Sequence, residues 1–436
     1  MRIVIIGKAE STNSGGMGIF SGRLTQYLTG KGHEVFHLQF TNSERYGPNT
    51  IPLRYHFADD RTFVVLPRME SLAIARARLR QLRPDVVYLN IATSPLDFVL
   101  PTICHDLGIP VAGVWHGDFH SGSWSAAIAG RIAFTGYLGV CRHLDMLQVF
   151  SHALREYFVK HGVEGRRVHV IPNGVDTEKY RSPALTGPIS HPNILALGRV
   201  TTVKNPELLI KSFNAMDHSF DARLSFVGDG ELLDKLRLRY GATNNLKFCG
   251  AITDETEKLK VINSSHIFVL PSRFEGMSLS LLEAMSCGLA CVVSDVGTNR
   301  EVVGDAGIVI PYRELRRRLP DVLSALARDE AYRRSLGVRA RARVLANFRQ
   351  EAAFGAVEER LQRLAEEGRA RRLVGTRSRG KWGLLVGRPA RRENLPVEHD
   401  DGQPDLAPAL RRTLRYPALE AQQVRGAEPP SSSTRI

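Results

Sequence analysis

The chain alternates short, continuously apolar runs with longer stretches of three-and-four periodicity. In its first half the runs are Arg2–Ile6, Glu34–Phe40, Phe63–Leu66, Asp85–Leu89, Pro110–Trp115, Gln148–Phe150 and Val168–Ile171. In its second half they are Asn193–Leu197, Arg223–Val227, Leu246–Phe248, Ile267–Leu270, Ala290–Ser294 and Gly307–Ile310. A strand covered on both faces reads as a continuous apolar run, whereas a half-exposed strand alternates, so the pattern predicts parallel sheets with helices on both sides. The fold class is α/β, doubly wound, as two Rossmann-like domains facing each other across a cleft. The predicted boundaries are an N-terminal domain over 1–176, a linker over 177–192 rich in turn and breaker residues, and a C-terminal domain over 193–347. A last helix is expected over 348–368, where Phe354, Val357, Leu361 and Leu364 form an apolar stripe that needs a groove.

Length and charge refine this picture. At 436 residues with 43% apolar residues, the chain can bury more than one core and is not a small binding module. Its net charge of +14 points to polyanionic partners, among them membranes, nucleic acid and phosphorylated ligands. Residues 369–436 hold 14 Lys and Arg against 7 Asp and Glu, so half of the excess lies in this Pro-, Gly- and Ser-rich segment, which is expected to be disordered. Cys104, Cys141, Cys249, Cys287 and Cys291 form no Cys-x-x-Cys pair and are expected to be reduced and buried. The apolar start breaks at Gly7, too early for a signal peptide, and no uncharged apolar run has the ~20 residues that span a bilayer, so the expectation is a cytoplasmic protein.

Candidate chemistry clusters at the carboxyl ends of predicted strands, where open parallel sheets bind ligands. The strand before Pro271 leads into Glu275-Gly276-Met277-Ser278 and then a helix carrying Glu283, and two carboxylates there can accept hydrogen bonds from one polyol. Ser280-x-x-Glu283 fits a helix capping box equally well. After the strand Asn193–Leu197, Arg199 and Lys204 bring two cations beside a helix opened by Pro206, which suits a diphosphate, although exposed cations also serve only solvation. Gly15, Gly16 and Gly18 lie in a glycine turn before a helix expected over Ile19–Thr29, either a phosphate approach or a plain tight turn. His116 follows another strand end, where an imidazole can hydrogen-bond a ligand near neutral pH.

Taken in order, Gly15–Gly18, His116, Asn173-Gly174-Val175-Asp176, Arg199 with Lys204, Gly228-Asp229-Gly230, and Glu275 with Glu283 resemble the retaining glycosyltransferases of family 4, which have the GT-B fold. The resemblance runs from Met1 to about Glu367 and is strongest over Ile194–Ile310. It implies that Arg199 and Lys204 bind the donor diphosphate, Glu275 the hydroxyls of the transferred sugar and Glu283 the ribose. It places His116 near the reaction centre, Gly15, Gly16 and Gly18 at phosphate or acceptor, and Gly228, Asp229 and Gly230 beside the base. Asn173, Gly276, Met277 and Ser278 complete the implied donor site, with Met277-Ser278 departing from the common family pattern. His116, Arg199, Lys204 and Glu275 carry the chemistry in this reading. No metal or other cofactor is expected, since the chain has no Asp-x-Asp motif.

The implied partners are a nucleotide-sugar donor and a glycan or lipid-linked acceptor, with no specific nucleic acid. A nucleotide-sugar epimerase, a phosphorylase or a non-enzymatic polyanion binder are the competing readings. A helix over Leu72–Arg83 places Arg76, Arg78, Arg80 and Arg83 along the edges of an apolar face, which suits either docking on an anionic membrane or an ordinary sheet-covering helix with a solvated edge.

Overall fold

The computed structural model describes residues 1–8, 15–58, 65–91, 94–117, 135–182, 191–217, 219 and 221–373. Residues 183–190 of the expected linker and 374–436 of the expected disordered tail lie outside this set.

The first half contributes strands β1 (Arg2–Lys8), β2 (Glu34–Phe40), β3 (Thr50–Leu53), β4 (Tyr55–Ala58), β5 (Val65–Pro67), β6 (Val86–Ile91), β7 (Val111–Trp115), β8 (Met146–Val149) and β9 (Val168–Val170). The second contributes β10 (Asn193–Leu197), β11 (Arg223–Val227), β12 (Leu246–Gly250), β13 (Ile267–Leu270), β14 (Ala290–Ser294) and β15 (Ile308–Ile310). Among the described residues, seven strands form one sheet in the order β3-β2-β1-β6-β7-β8-β9, and six form another in the order β12-β11-β10-β13-β14-β15. Every pairing in both is parallel. The central strands β6, β7, β13 and β14 are buried along their whole length, which explains their unbroken apolar sequences. Strand order reverses between β1 and β6 in one sheet and between β10 and β13 in the other, and such switch points open a crevice at the strand ends.

Several expectations need correction. The run at Phe63–Leu66 is not part of a parallel sheet; its described portion lies in β5, which pairs antiparallel with β4 in a separate ribbon. The first helix spans Gly15–Gly30, so the glycines form its opening turn rather than a loop before it. The basic helix is Met69–Leu82, with Arg76, Arg78 and Arg80 exposed along it and Arg83 turning the chain beyond its end in the left-handed region at φ 46°. Four cysteines are buried, but Cys249 is only half-buried.

The last helix, Gln350–Leu373, continues past residue 368 because its extra residues are anchored to the N-terminal sheet. Arg369 pairs with Asp85 at 2.8 Å and Arg371 with Asp145 at 3.4 Å. Phe354, Val357, Leu361 and Leu364 are all buried, and Phe354 packs edge-on against Phe20 of the first helix at 5.7 Å. On the helix flank, Glu358 accepts from Tyr27 at 3.2 Å and contacts His33 Nε2 at 2.8 Å. The groove that the apolar stripe demanded is thus the first helix and its neighbours. Leu361→Ala is expected to cost about 2–5 kcal/mol in chemical denaturation, the range for emptying a fully buried leucine site, and a loss well under 1 kcal/mol would contradict this docking.

Candidate active site

Each switch point sends candidate side chains to one seam. In the C-terminal domain, β10 ends at Leu197 and the chain turns through Gly198-Arg199-Val200 against Gly228-Asp229-Gly230, with Val200 N–H donating to the Asp229 carbonyl at 2.8 Å. A short helical turn over Thr202–Lys204 then presents Lys204, and Pro206 opens the next helix as its sequence suggests. Beyond β13, Arg273 N–H donates to the Val203 carbonyl at 2.8 Å, tying the two loops together. Lys204 Nζ consequently lies 2.5 Å from Glu275 Oε1, and the same oxygen accepts from Ser272 Oγ at 2.6 Å. Glu275 is 6% exposed, so it needs these partners; an unpaired buried carboxylate is costly. Arg199 is half-buried on the neighbouring turn.

In the N-terminal domain, His116 follows β7, partly buried, with Phe20 and Phe150 against its ring at 5.3 Å each. Its Nε2 lies 2.9 Å from Asn90 Oδ1. Burial pushes its pKa down to about 3, so the ring is neutral at ordinary pH. The Gly15–Gly18 turn begins the helix that supplies Phe20, and the N–H groups of a first helical turn are the ones without partners inside the helix.

The two halves meet without an intervening side chain. A Cβ on Gly276 would stand 2.3 Å from the His116 carbonyl oxygen, so only glycine allows the Glu275 loop to approach this closely. Asn173 Nδ2 donates to the Met277 carbonyl at 3.1 Å beside this contact, and Thr298 Oγ1 donates to the Gly276 carbonyl at 2.8 Å from the other side. Ser278 caps the helix Leu279–Ser286 by accepting from Leu281 N–H, so the capping role belongs to Ser278 and not to Ser280.

Glu283 occupies a different setting from Glu275. Its Oε1 receives Arg23 from the first helix at 3.0 Å and Lys258 at 3.4 Å, and the ring of Tyr180 lies under both cations. Burial works against the charge of Arg23, but Glu283, Tyr180 and Glu255 hold its guanidinium above the ordinary value. The structure thus brings His116, Glu275, Gly276, Met277, Ser278 and Asn173 to one seam, with Arg199 and Lys204 on the adjoining loops. Asp229 is exposed, and its carboxylate accepts from Gly230 N–H at 2.7 Å.

Sequence reasoning missed Asn90, Ser272, Arg23 and Lys258. Asn90 left a trace, since it is the one polar residue in the otherwise apolar strand Val86–Ile91 apart from the Tyr88 hydroxyl. Arg23 left none: its partner is 260 positions away. Arg23→Met is expected to lose about 1–3 kcal/mol in denaturant titration because it takes a charged donor from a buried carboxylate, and adding Glu283→Leu should recover part of that loss. Additive losses from the two changes would contradict the coupling.

Comparison with known proteins adds to this geometry. A family profile described as "Glycosyltransferase Family 4" matches residues 14–179, and one described as "Glycosyl transferases group 1" matches residues 191–329. An Escherichia coli protein named UDP-Gal:alpha-D-GlcNAc-diphosphoundecaprenol alpha-1,3-galactosyltransferase is 34% identical over 38% of this chain and 44% of its own length. A Mycobacterium tuberculosis GDP-mannose-dependent alpha-mannosyltransferase is 24% identical over 76% of this chain and 89% of its own. Less than half of the first relative is therefore spanned, and most of the second. The solved structure of sucrose-phosphate synthase from Thermosynechococcus elongatus superposes with a TM-score of 0.69 at 19% identity, covering 84% of this chain and 100% of that one.

Proposed function

Because the chain belongs to glycosyltransferase family 4, with the GT-B fold and the nucleotide-sugar chemistry of group 1 glycosyltransferases, we propose that it moves a sugar, with retention at the anomeric carbon, onto a lipid-linked or polysaccharide-precursor glycan. The observation that carries this reading is the pairing of Lys204 with Glu275 at a seam that also holds His116. A cation kept in place by a neighbouring carboxylate is ready to exchange that partner for a diphosphate, which frees Glu275 to accept hydrogen bonds from sugar hydroxyls.

In the proposed step the bond from the anomeric carbon to the diphosphate oxygen breaks, and the bond from the acceptor oxygen to that carbon forms on the same face. The acceptor's proton passes to the departing diphosphate. Negative charge grows on the diphosphate as it leaves, and Arg199 and Lys204 meet it there; fixed cations in a site with little water stabilise such charge strongly. Glu275 and Glu283 do not form the acid and nucleophile pair of a glycoside hydrolase, because each is occupied by cations from its own surroundings. The ribose lies toward Glu283 and the base toward Gly228–Gly230 in this proposal. Two cations take the part that a divalent ion plays elsewhere, so transfer is metal-independent.

Lys204→Ala and Glu275→Ala are each expected to lower kcat/KM about 10²–10³-fold with whichever nucleotide sugar proves active, the scale of removing one preorganised electrostatic contact. A chelator should leave the rate unchanged. Parent-like transfer by either variant would overturn the site assignment.

The acceptor side of the proposal includes an anionic membrane surface on the cytoplasmic face. Among the described residues no helix is long and apolar enough to cross a membrane. Arg76, Arg78, Arg80 and Arg83 are all exposed, and Met69 at the start of the same helix is 91% exposed. Phe57 and Leu66 sit opposite each other in the β4–β5 ribbon, both more than half or nearly half exposed, and so share one face. Apolar tips beside a basic helix suit an interfacial position, where each arginine contributes about 1 kcal/mol of attraction to anionic lipid. Reversing Arg76, Arg78 and Arg80 to Glu should weaken co-sedimentation with anionic vesicles at least about tenfold while leaving neutral vesicles unaffected; unchanged sedimentation would remove the docking surface.

A further inference from the structure

We infer that Asn90 is the positioning residue that fixes His116 as its Nε2–H tautomer, so that the ring meets the transferred sugar as a hydrogen-bond acceptor at Nδ1. The part concerning the sugar rests on the transferase proposal; the tautomer assignment does not.

A side-chain amide has two ends of nearly equal shape, and only its partners tell them apart. Asn90 is 2% exposed near the end of β6, and one end of its amide lies 3.1 Å from the Ile6 carbonyl oxygen on β1. A carbonyl oxygen only accepts, so that end is the NH2 group. The other end is therefore the oxygen, and it faces His116 Nε2 at 2.9 Å and Ser21 Oγ at 3.4 Å. An amide oxygen also only accepts, which requires the proton of the neutral imidazole to be on Nε2 and its lone pair on Nδ1.

Two features hold this chain of bonds in place. A Cβ on Gly7 would stand 2.6 Å from Asn90 Nδ2, so β1 must present a bare backbone for the amide to fit. Around the ring are Phe20 from the first helix and Phe150 after β8, while the Gly276 backbone from the opposite domain lies against the His116 main-chain carbonyl. Burial alone lowers the ring's proton affinity, and no charged side chain from these elements contributes, so the ring stays neutral at physiological pH.

The chemical consequence concerns what His116 can recognise. A neutral lone pair attracts a hydroxyl and repels carboxylate or phosphate oxygens, which excludes His116 from the diphosphate and assigns it to a sugar hydroxyl. A buried group made to hydrogen-bond a hydroxyl also discriminates against donors that lack it. Asn90 thus sets a specificity element without touching the substrate.

The test uses the full chain labelled with ¹⁵N-histidine, with His116 assigned by His116→Gln. The inference predicts a protonated Nε2 and an unprotonated Nδ1 from about pH 5 to about pH 8. A proton on Nδ1, or a ring that titrates near the ordinary histidine value, would overturn it. Asn90→Asp then places a carboxylate on the same nitrogen, which favours the imidazolium and raises its pKa. Below that raised value Nδ1 becomes a donor, so kcat/KM should fall about tenfold or more at about pH 6 and recover toward the parent at about pH 9 as the ring loses its proton. In Asn90→Asp, a ring that stays neutral beside an ionised carboxylate, or a loss equal at every pH, would reduce Asn90 to a structural residue and overturn the inference. Failure of the parent to transfer sugar from any nucleotide donor would remove the sugar assignment together with the transferase proposal, while the ring measurement would still decide the tautomer.

Discussion

The approach of the Gly276 backbone to the His116 carbonyl is the constraint on which the site depends. Each sheet alone supplies only half of the chemistry: β7 delivers an imidazole, while β10 and β13 deliver cations and a carboxylate. A side chain at 276 would hold the halves apart, because its first carbon would stand 2.3 Å from that oxygen. Asn173 reinforces the seam from the N-terminal side through the Met277 carbonyl, and the last helix does so at a distance by burying its apolar stripe against the N-terminal domain. The site's geometry is therefore a property of domain apposition as much as of any motif.

Electrostatics then decides how the seam can hold so much buried charge. Glu275 and Glu283 are both nearly inaccessible, and the cations and hydroxyls that converge on each offset the cost of burying a carboxylate. The two pairs differ in kind. Lys204 and Glu275 belong to adjoining loops of one domain and can exchange partners locally, whereas Arg23 and Glu283 join the first helix to the second domain. The second pair therefore also ties the domains together, which the first does not. His116 follows the opposite rule, since it is neutral in a partly buried place and relies on Asn90 for its orientation.

The sequence made most of this architecture visible, for a physical reason: strands covered on both faces cannot hide their continuous apolar runs, and β6, β7, β13 and β14 are such strands. The loops after β7 and β13 carry His116 and Glu275, and the loop after β10 carries Lys204, so these three could be marked from their place at strand ends. Short or half-exposed elements were less legible. In the ribbon β4–β5, which lacks a fully buried face of its own, β4 is not among the apolar runs and β5 reads as one more strand of the parallel sheet, and the glycines at 15–18 read as a turn although helix formation includes them. Arg23 shows the deeper limit, because nothing near a cation on a helix surface signals a carboxylate in another domain. Asn90 is intermediate: a lone amide in a buried strand announces that something nearby needs a hydrogen bond, but not what.

The most direct test of the central claim is a crystal structure of the full chain with a nucleoside diphosphate bound, UDP and GDP being tried in turn. The account predicts the diphosphate between Arg199 and Lys204, Lys204 Nζ moved from Glu275 to a phosphate oxygen, and His116 still bonded to Asn90 away from the phosphates. A nucleotide bound elsewhere on the chain, or one bound at the seam with the Lys204–Glu275 pair intact, would contradict it.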